Sequence, residues 1–326
     1  MRLLVVLILL AAALFVAGLV VGPARIPPLD SLRALFSADR EVVSEVMLQI
    51  RLPRAILAAL IGGGLGLAGA AMQGYLRNPL ADPGLIGVSG SAAVGAVLAL
   101  QTGFAAAVPL GLPAAALLGA AVGVGLVLAL AGPRGGSLTL ILAGIAIASL
   151  SGALVSLVLN LSPNPFAASE IVFWMMGSLA DRSMDHVWIA TPLILVGGAI
   201  LLSQSRAFDA LTLGEDAAEA MGISLTRVRL LLVIGTAAIV AGGTAVAGAI
   251  GFVGLVVPHI LRGFVGARPG RLLWASALGG AIMLMAADLL VRVILPERDL
   301  KLGVLTAMVG APLFLHLIYR TRRDIL

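Results

Sequence analysis

Long apolar segments alternate with short polar connections along almost the whole chain. An α-helix needs about 20 apolar residues to cross a lipid bilayer, and most of these segments reach or approach that length. The pattern therefore predicts about ten transmembrane helices. The predicted spans are residues 3–22, 53–76, 84–101, 106–130, 137–161, 187–204, 228–250, 251–266, 271–295 and 303–320.

Two of these segments need an interpretation of their own. The first follows Met1 and Arg2 and resembles the apolar region of a signal peptide, but it is long enough to span a membrane and has no clear cleavage site. We therefore expect it to be the first transmembrane helix. The segment 251–266 is short and contains Pro258, which predicts a half-helix instead of a full crossing.

The composition agrees with an integral membrane protein. Hydrophobic residues make up 60% of the chain and charged residues only 11%, whereas soluble domains are about 25% charged. This excludes the soluble globular and the disordered classes, and the long unbroken apolar runs exclude a β-barrel. Ten spans leave no room for a soluble domain, so residues 1–326 are predicted to be a single all-α, polytopic membrane domain. The absence of cysteine excludes disulfides and thiolate metal sites.

The basic residues predict how the chain is oriented. The formal charge of +5 comes from 20 arginines and one lysine spread over short loops, a distribution that is typical of helix anchoring and not of nucleic-acid binding. With the N-terminus inside, twelve basic residues lie inside and nine outside, so both termini are predicted to be cytoplasmic. The outer connections are then residues 23–52 and 162–186. Five outer arginines lie in or just after the first of these, against the rule: Arg25, Arg33, Arg40, Arg51 and Arg54.

The same outer connection contains a helix signal. Leu29, Leu32, Leu35 and Phe36 recur at helical spacing after two prolines, which predicts a short amphipathic helix on the outer surface.

An internal repeat is visible in the sequence. A shift of 179 residues aligns Ala58–Gly84 with Ala237–Gly263, with ten matches in 27 positions. Both stretches are rich in alanine and glycine, so composition alone is an alternative explanation. Five predicted spans separate the copies, which would then cross the membrane in opposite directions, as in the inverted repeats of transporters.

Catalytic and metal-binding patterns are missing from the sequence. There is no Walker A sequence, HExxH pair or G-x-S-x-G elbow. His186, His259 and His316 lie on separate segments, so we predict no metal site and no cofactor. Deep acidic residues are scarce, and Asp288 has Arg292 one turn later as a partner. The scarcity disfavours an ion-coupled secondary transporter, which stays open as an alternative, and it suggests that another subunit supplies the energy.

The largest polar segment predicted to lie inside covers residues 206–229, here called the coupling segment. Within it, Leu213–Gly222 predicts a short helix with acidic residues in its first turn and a glycine on each side. Ala217, Ala220 and Met221 would give this helix a small apolar face. It is either a solvated connector or a protrusion that docks into a cytoplasmic partner.

A series of motifs in this sequence closely resembles the FecCD-type permeases of ABC importers. The resemblance runs from about residue 45 to the end of the chain, in the order typical of that family. The motifs are Arg51-Leu52-Pro53-Arg54, Met72-Gln73-Gly74, Asn78 to Val88, Trp174 to Leu179, Leu213 to Gly222, Gly251 to His259, and Gly303 to Ala307 with Gly310 to Phe314.

The resemblance implies a type II ABC importer permease of ten helices that pairs with a second copy of itself or with a close relative. It also implies two cytoplasmic ATPase subunits and a periplasmic or lipid-anchored substrate-binding protein. The family's ATPase-coupling residues fall on Leu213, Gly214, Glu215, Ala218, Met221 and Gly222. Its docking arginines fall on Arg51, Arg54 and Arg292, which would receive acidic residues of the binding protein and so explain arginines on the outer side.

One loop departs from the family pattern. Where the family has proline before its last helix, this chain has Lys301 within Asp299–Gly303.

We therefore predict a permease subunit, not an enzyme, in the inner membrane of a bacterium. The expected cargo is an iron chelate, either a siderophore complex or haem, with cobalamin as the alternative. No residues of the substrate path follow from the sequence.

Overall fold

The computed structural model of the chain describes residues 2–24, 26–36, 42–132, 135–163, 165–266, 268–294 and 300–323, and these form helices and connections without a strand. The predicted outer residues Arg25, Arg40, Arg298 and Asp299 and the inner Arg134 lie outside them. The first helices are α1 (Arg2–Val20), α2 (Pro28–Ala34), α3 (Val42–Glu45), α4 (Leu52–Leu76), α5 (Val88–Gln101), α6 (Phe104–Ala107), α7 (Gly111–Ala131) and α8 (Ser137–Asn160). The others are α9 (Pro165–Met175), α10 (Met184–Ser203), α11 (Ser205–Leu211), α12 (Glu215–Ala220), α13 (Leu225–Ala247), α14 (Val253–Arg262), α15 (Pro269–Ile294) and α16 (Leu302–Arg323).

Ten of these helices correspond to the ten predicted spans: α1, α4, α5, α7, α8, α10, α13, α14, α15 and α16. Seven are long and apolar enough to cross a membrane, and α5, α14 and α16 contribute shorter apolar stretches. The prediction of an all-α polytopic fold is confirmed. The predicted half-helix is α14, which has only 10 residues. The short helix expected after Pro27 is α2.

The two halves of the chain share an order of helix lengths. In the first half, α4, α5, α7 and α8 have 25, 14, 21 and 24 residues. In the second, α13, α14, α15 and α16 have 23, 10, 26 and 22. Each half thus has a long helix, a short one and then two long ones, which is what an inverted repeat predicts.

α4 and α13, the helices with which the two repeated halves begin, cross in opposite directions. Gly64 of α4 lies against Ile239 of α13, and Ile61 lies against Gly243, so the contact positions rise along one helix as they fall along the other. The halves differ in where the chain leaves the helix. α13 ends before Gly248, which has a φ of 71°, whereas α4 continues to Leu76 and ends at Arg77 with a φ of 49°.

The centre of the bundle is formed by α4 and α13, which are the most enclosed of the long apolar helices. α4 packs against α15 through glycines. A Cβ atom at Gly62 or Gly66 would overlap the α15 backbone at Gly280 or Ser276, and one at Gly280 would overlap the carbonyl of Gly62. Small residues allow such backbone contact within a membrane, where packing replaces the hydrophobic effect as the source of helix association.

The bundle has two ends that carry different polar groups. At one end, Arg54 lies in the first turn of α4, and Asp288 and Arg292 lie in the last turns of α15. We call this end the arginine face. At the other end, α4 finishes at Leu76 and α15 begins at Pro269, next to α11 and α12; we call this end the coupling face.

Candidate functional site

The coupling segment contains most of α11 and all of α12, which are joined by a tight turn, and its last residues, 225–229, begin α13. Gly214 and Gly222 flank α12 with φ values of 108° and 82°, a region that favours residues without a side chain. After α12 the chain turns back, and the N–H of Ile223 donates to the carbonyl of Ala218 at 3.1 Å. The predicted helix between two glycines is therefore present as Glu215–Ala220.

The side chains of α12 and its flanks include one that is buried against the bundle and several that are exposed. Ala218 is fully buried against the bundle. Leu213 and Met221, which flank the helix, are 70% and 54% exposed. Glu215 forms an ion pair with Arg77 at the end of α4, with 3.7 Å between Nη2 and Oε1 and both side chains half exposed. The result is an acidic helix turn bordered by two exposed apolar side chains.

At the arginine face, Arg51 is buried and donates hydrogen bonds to the backbone carbonyls at the end of α1. A π-helical turn, Val46–Arg51, leads directly into α4 and carries this side chain inward. Its guanidinium donates to the carbonyls of Leu19 at 3.0 Å, Val20 at 2.8 Å and Ala24 at 2.6 Å. The last carbonyls of a helix have no partner within that helix, and cations near them are favourable, so Arg51 acts as the cap of α1.

Asp288 lies between the other two predicted docking arginines. Arg54 donates through Nε to Oδ1 at 2.8 Å, and Arg292 donates to Oδ2 of the same carboxylate. Arg292 also reaches α1, where it donates to the carbonyls of Gly18 at 2.8 Å and Val21 at 3.2 Å. The i,i+4 pair of Asp288 and Arg292 predicted from the sequence is confirmed.

The structure thus brings all three arginines to one face but gives them different exposure. Arg51 and Arg292 are 4% and 7% exposed, because their donors are directed at α1. The side chain of Arg54 is 17% exposed. Nothing in the sequence pairs these residues with α1. The acceptors there are backbone carbonyls, which every residue type has, so the sequence does not mark them.

Gln73 forms a second polar centre that sequence reasoning did not single out. Its side chain is 1% exposed, and its amide nitrogen donates to the carbonyls of Ala81 at 3.3 Å and Leu255 at 3.2 Å. Its amide oxygen accepts from Nη2 of Arg262 at 2.8 Å. Gln73 therefore ties α4 to both the connection after it and the half-helix α14.

A cavity of about 220 Å³ lies where the helix breaks of the two halves meet. Asp82, Ser89, Thr244 and Phe252 are among the residues that line it. The carboxylate of Asp82 accepts from the N–H of Gly84 at 2.8 Å and so begins the 3₁₀ turn Pro83–Ile86. Asp82 is thus an acidic residue beside the centre of α4, in addition to the Asp288 named from the sequence.

An open cleft of about 460 Å³ adjoins this cavity. Ala249 lines both, and the cleft is bordered by Met175, Met176 and Met308. Methionine side chains adapt to irregular apolar shapes, so this surface suits contact with a variable apolar partner.

Lys301, which replaces the family's proline, lies beside a third pocket of about 350 Å³. Its Nζ is 5.4 Å from the centre of the Phe173 ring, within the range of a cation–π contact. Glu170, Asp181 and Arg182 also line this pocket. Burial lowers the pKa of the Arg182 guanidinium, and the neighbouring Asp181 carboxylate opposes that shift.

Among residues the structure describes, no three His, Asp or Glu side chains come together in a group that could hold an ion.

Comparison with known proteins now decides the family. The family model of the FecCD transport family matches residues 7–320. The chain belongs to the FecCD transport family. It is 39% identical over 280 residues to the cobalamin import system permease BtuC of Halobacterium salinarum. This alignment covers 85% of this chain and 74% of that protein. It is 36% identical over 318 residues to the hemin transport permease HmuU of Yersinia pestis, covering 94% and 93%.

A solved structure shows the same fold. An ABC transporter described as being of the metal-chelate type, in an inward-facing conformation, superposes with a TM-score of 0.86 at 34% identity. The match covers 98% of this chain and 99% of that one. The chain is therefore a multi-pass permease subunit of an ABC importer, and the family resemblance found in the sequence is confirmed.

Proposed function

We propose that this permease imports a metal chelate, an iron–siderophore complex or haem, which a binding protein delivers and two ATPase subunits drive across the membrane. The observation that carries the proposal is the exposure of Leu213 and Met221 on either side of α12. Apolar side chains at a polar, water-facing turn are stabilised when a partner covers them. Since the sequence contains no nucleotide-binding motif, the partner that this surface fits is the ATPase.

A second copy of this chain is proposed to complete the substrate path. Pockets for small ligands are typically about 300–1,000 Å³ and enclose most of the ligand. The cavity at the helix breaks is only about 220 Å³, and the larger methionine cleft is open on one side. A large chelate therefore fits better between two copies than within one, which supports a homodimer.

The choice of cargo rests on the relatives. One relative is named for cobalamin import and another for hemin transport, at 39% and 36% identity. Identity does not separate these cargoes, so cobalamin import is retained as the alternative to an iron chelate. Uptake of labelled haem, ferric siderophore and cobalamin by the same reconstituted complex distinguishes them.

We further propose that the arginine face is the outer face and receives the binding protein. Arg54 is the most accessible of the three arginines and is the one best suited to meet an acidic partner. The coupling face is then cytoplasmic, together with the start of α1 and the end of α16, and the membrane is the inner membrane of a bacterium.

The test uses the permease reconstituted in vesicles with its ATPase and binding protein. Replacing both exposed side chains (Leu213→Asp with Met221→Asp) should reduce co-purification of the ATPase and ATP-dependent uptake by about tenfold, because apolar anchors carry much of an interface's binding energy. The conservative pair (Leu213→Met with Met221→Leu) should retain both. Uptake that continues without the ATPase, or an aspartate double variant that transports normally, would contradict the proposal.

A further inference from the structure

The coupling segment is attached to the bundle by a hydrogen bond at the start of α15. Oδ1 of Asp209, in α11, accepts from the backbone N–H of Gly270 at 2.7 Å. The contact is close, since a Cβ atom at position 270 would lie 3.0 Å from the Asp209 carboxylate and the carboxylate would have to shift slightly to admit it. The first turn of α15 is therefore fixed directly to α11.

The same part of α11 also contacts the end of α4. Phe208 is fully buried, and a Cβ atom added at Gly74 would lie 3.5 Å from the Cβ of Phe208 and 3.3 Å from that of Pro269. Phe208 thus lies where the end of α4 meets the start of α15. A displacement of α11 would act on both helices together.

α4 and α15 pack as a close pair. Their backbones approach each other at Gly62, Gly66 and Gly280, and such close packing transmits a displacement of one helix to the other. With 25 and 26 residues, each helix is about 38 Å long. The pair therefore runs through the membrane from the coupling face to the arginine face.

The far end of the pair is held by an ion pair and by contacts with α1. Arg54 of α4 and Asp288 of α15 are joined at 2.8 Å, and Arg292 connects α15 to the end of α1. The side chain proposed to receive the binding protein is therefore attached to the same pair of helices that Asp209 holds at the coupling face.

We infer that the α4–α15 pair transmits the docking of the loaded binding protein to the ATPase, and that Asp209 is the positioning residue that connects the pair to the coupling segment. The inference rests on the proposed function, because it assumes an ATPase at one face and a binding protein at the other. Asp209 touches neither the substrate nor nucleotide in this scheme. It acts through the hydrogen bond to Gly270.

The experiment compares Asp209→Ala with Asp209→Asn in the full complex of permease, ATPase and binding protein. Asparagine keeps the acceptor oxygen, and it caps helices about as well as aspartate. Asp209→Ala should keep ATPase binding and basal ATP hydrolysis, while stimulation by loaded binding protein and the chelate transported per ATP fall by about fivefold. Asp209→Asn should restore both to within about twofold of the wild type.

Each other outcome has a defined meaning. If Asp209→Ala lowers only the thermal midpoint and leaves the stimulation unchanged, Asp209 is merely a cap of α15 and the inference is wrong. If Asp209→Ala abolishes ATPase binding, the residue is a contact and not a transmitter, which also overturns it. A wild-type complex without ATP-dependent uptake would contradict the proposed function itself, and that arm is measured first.

Discussion

Removal of the Asp288 charge should destabilise the protein, since this carboxylate holds two arginines at the arginine face. Asp288 is 2% exposed and pairs with both Arg54 and Arg292. Removing one partner of a buried ion pair leaves the other charge without compensation, at a cost of about 3–5 kcal/mol. We expect Asp288→Asn to lower the free energy of unfolding by about 3 kcal/mol, near the lower limit, because the amide oxygen can still accept a hydrogen bond.

Most of the expected loss of stability in Asp288→Asn comes from Arg292. Arg292 is 7% exposed and stays protonated, so it becomes a buried cation without a counter-charge. The side chain of Arg54 is more accessible, at 17%, so water can partly replace the carboxylate that it loses. Arg292→Leu alone leaves Asp288 paired with Arg54 and loses the bonds to two α1 carbonyls, at a cost of about 1–3 kcal/mol.

A double-mutant cycle tests this account. The double variant (Asp288→Asn with Arg292→Leu) removes the uncompensated cation, so its loss should fall short of the sum of the single losses by about 2 kcal/mol. The assay is equilibrium unfolding of the purified permease in mixed micelles, followed by circular dichroism. Asp185→Asn, at an exposed position of α10, is the matched control. A loss below about 0.5 kcal/mol for Asp288→Asn, or additive losses, would refute the reasoning.

Two further predictions concern docking and packing. Arg54→Gln should weaken binding of the loaded binding protein by about tenfold in a pull-down titration. The control Arg33→Gln, at an exposed position of α2, should leave this binding unchanged. If both variants weaken binding equally, Arg54 is not part of the docking surface. Gly66→Ala should cost about 3 kcal/mol and lower the yield of folded permease, because the methyl group would overlap the α15 backbone. Gly125→Ala, where the added methyl group meets no neighbour, should be neutral or slightly stabilising. A similar loss of stability in both variants would contradict the close packing of α4 against α15.

Much of the fold follows from the sequence, as the half-helix and the coupling segment illustrate. Pro258 and the short apolar run around it predicted α14, and the glycines at 214 and 222 predicted the bounds of α12 within a residue. These signals are local: a proline, a glycine or a change of polarity affects the backbone at its own position. They locate elements without showing which elements touch.

The three arginines that were predicted to dock a binding protein illustrate the opposite case. The sequence predicted Arg51, Arg54 and Arg292 on one side of the membrane, and the structure brings them together at one end of the bundle. It did not reveal that Arg51 and Arg292 are directed at α1. Arg292 and the carbonyl of Gly18 are separated by 274 positions, and a backbone carbonyl is the same acceptor in every residue type.

By itself, the sequence determined the number, order and approximate bounds of the spans, because a bilayer accepts only long apolar segments that satisfy their own backbone hydrogen bonds. It also determined the coupling segment, where polarity and glycine interrupt that pattern. Only the tertiary structure decided that α4 and α15 form one pair between Asp209 and Asp288, and that Gln73 joins α4 to α14. These contacts depend on helices meeting across long sequence separations, where shape and backbone acceptors decide the partner and residue type does not.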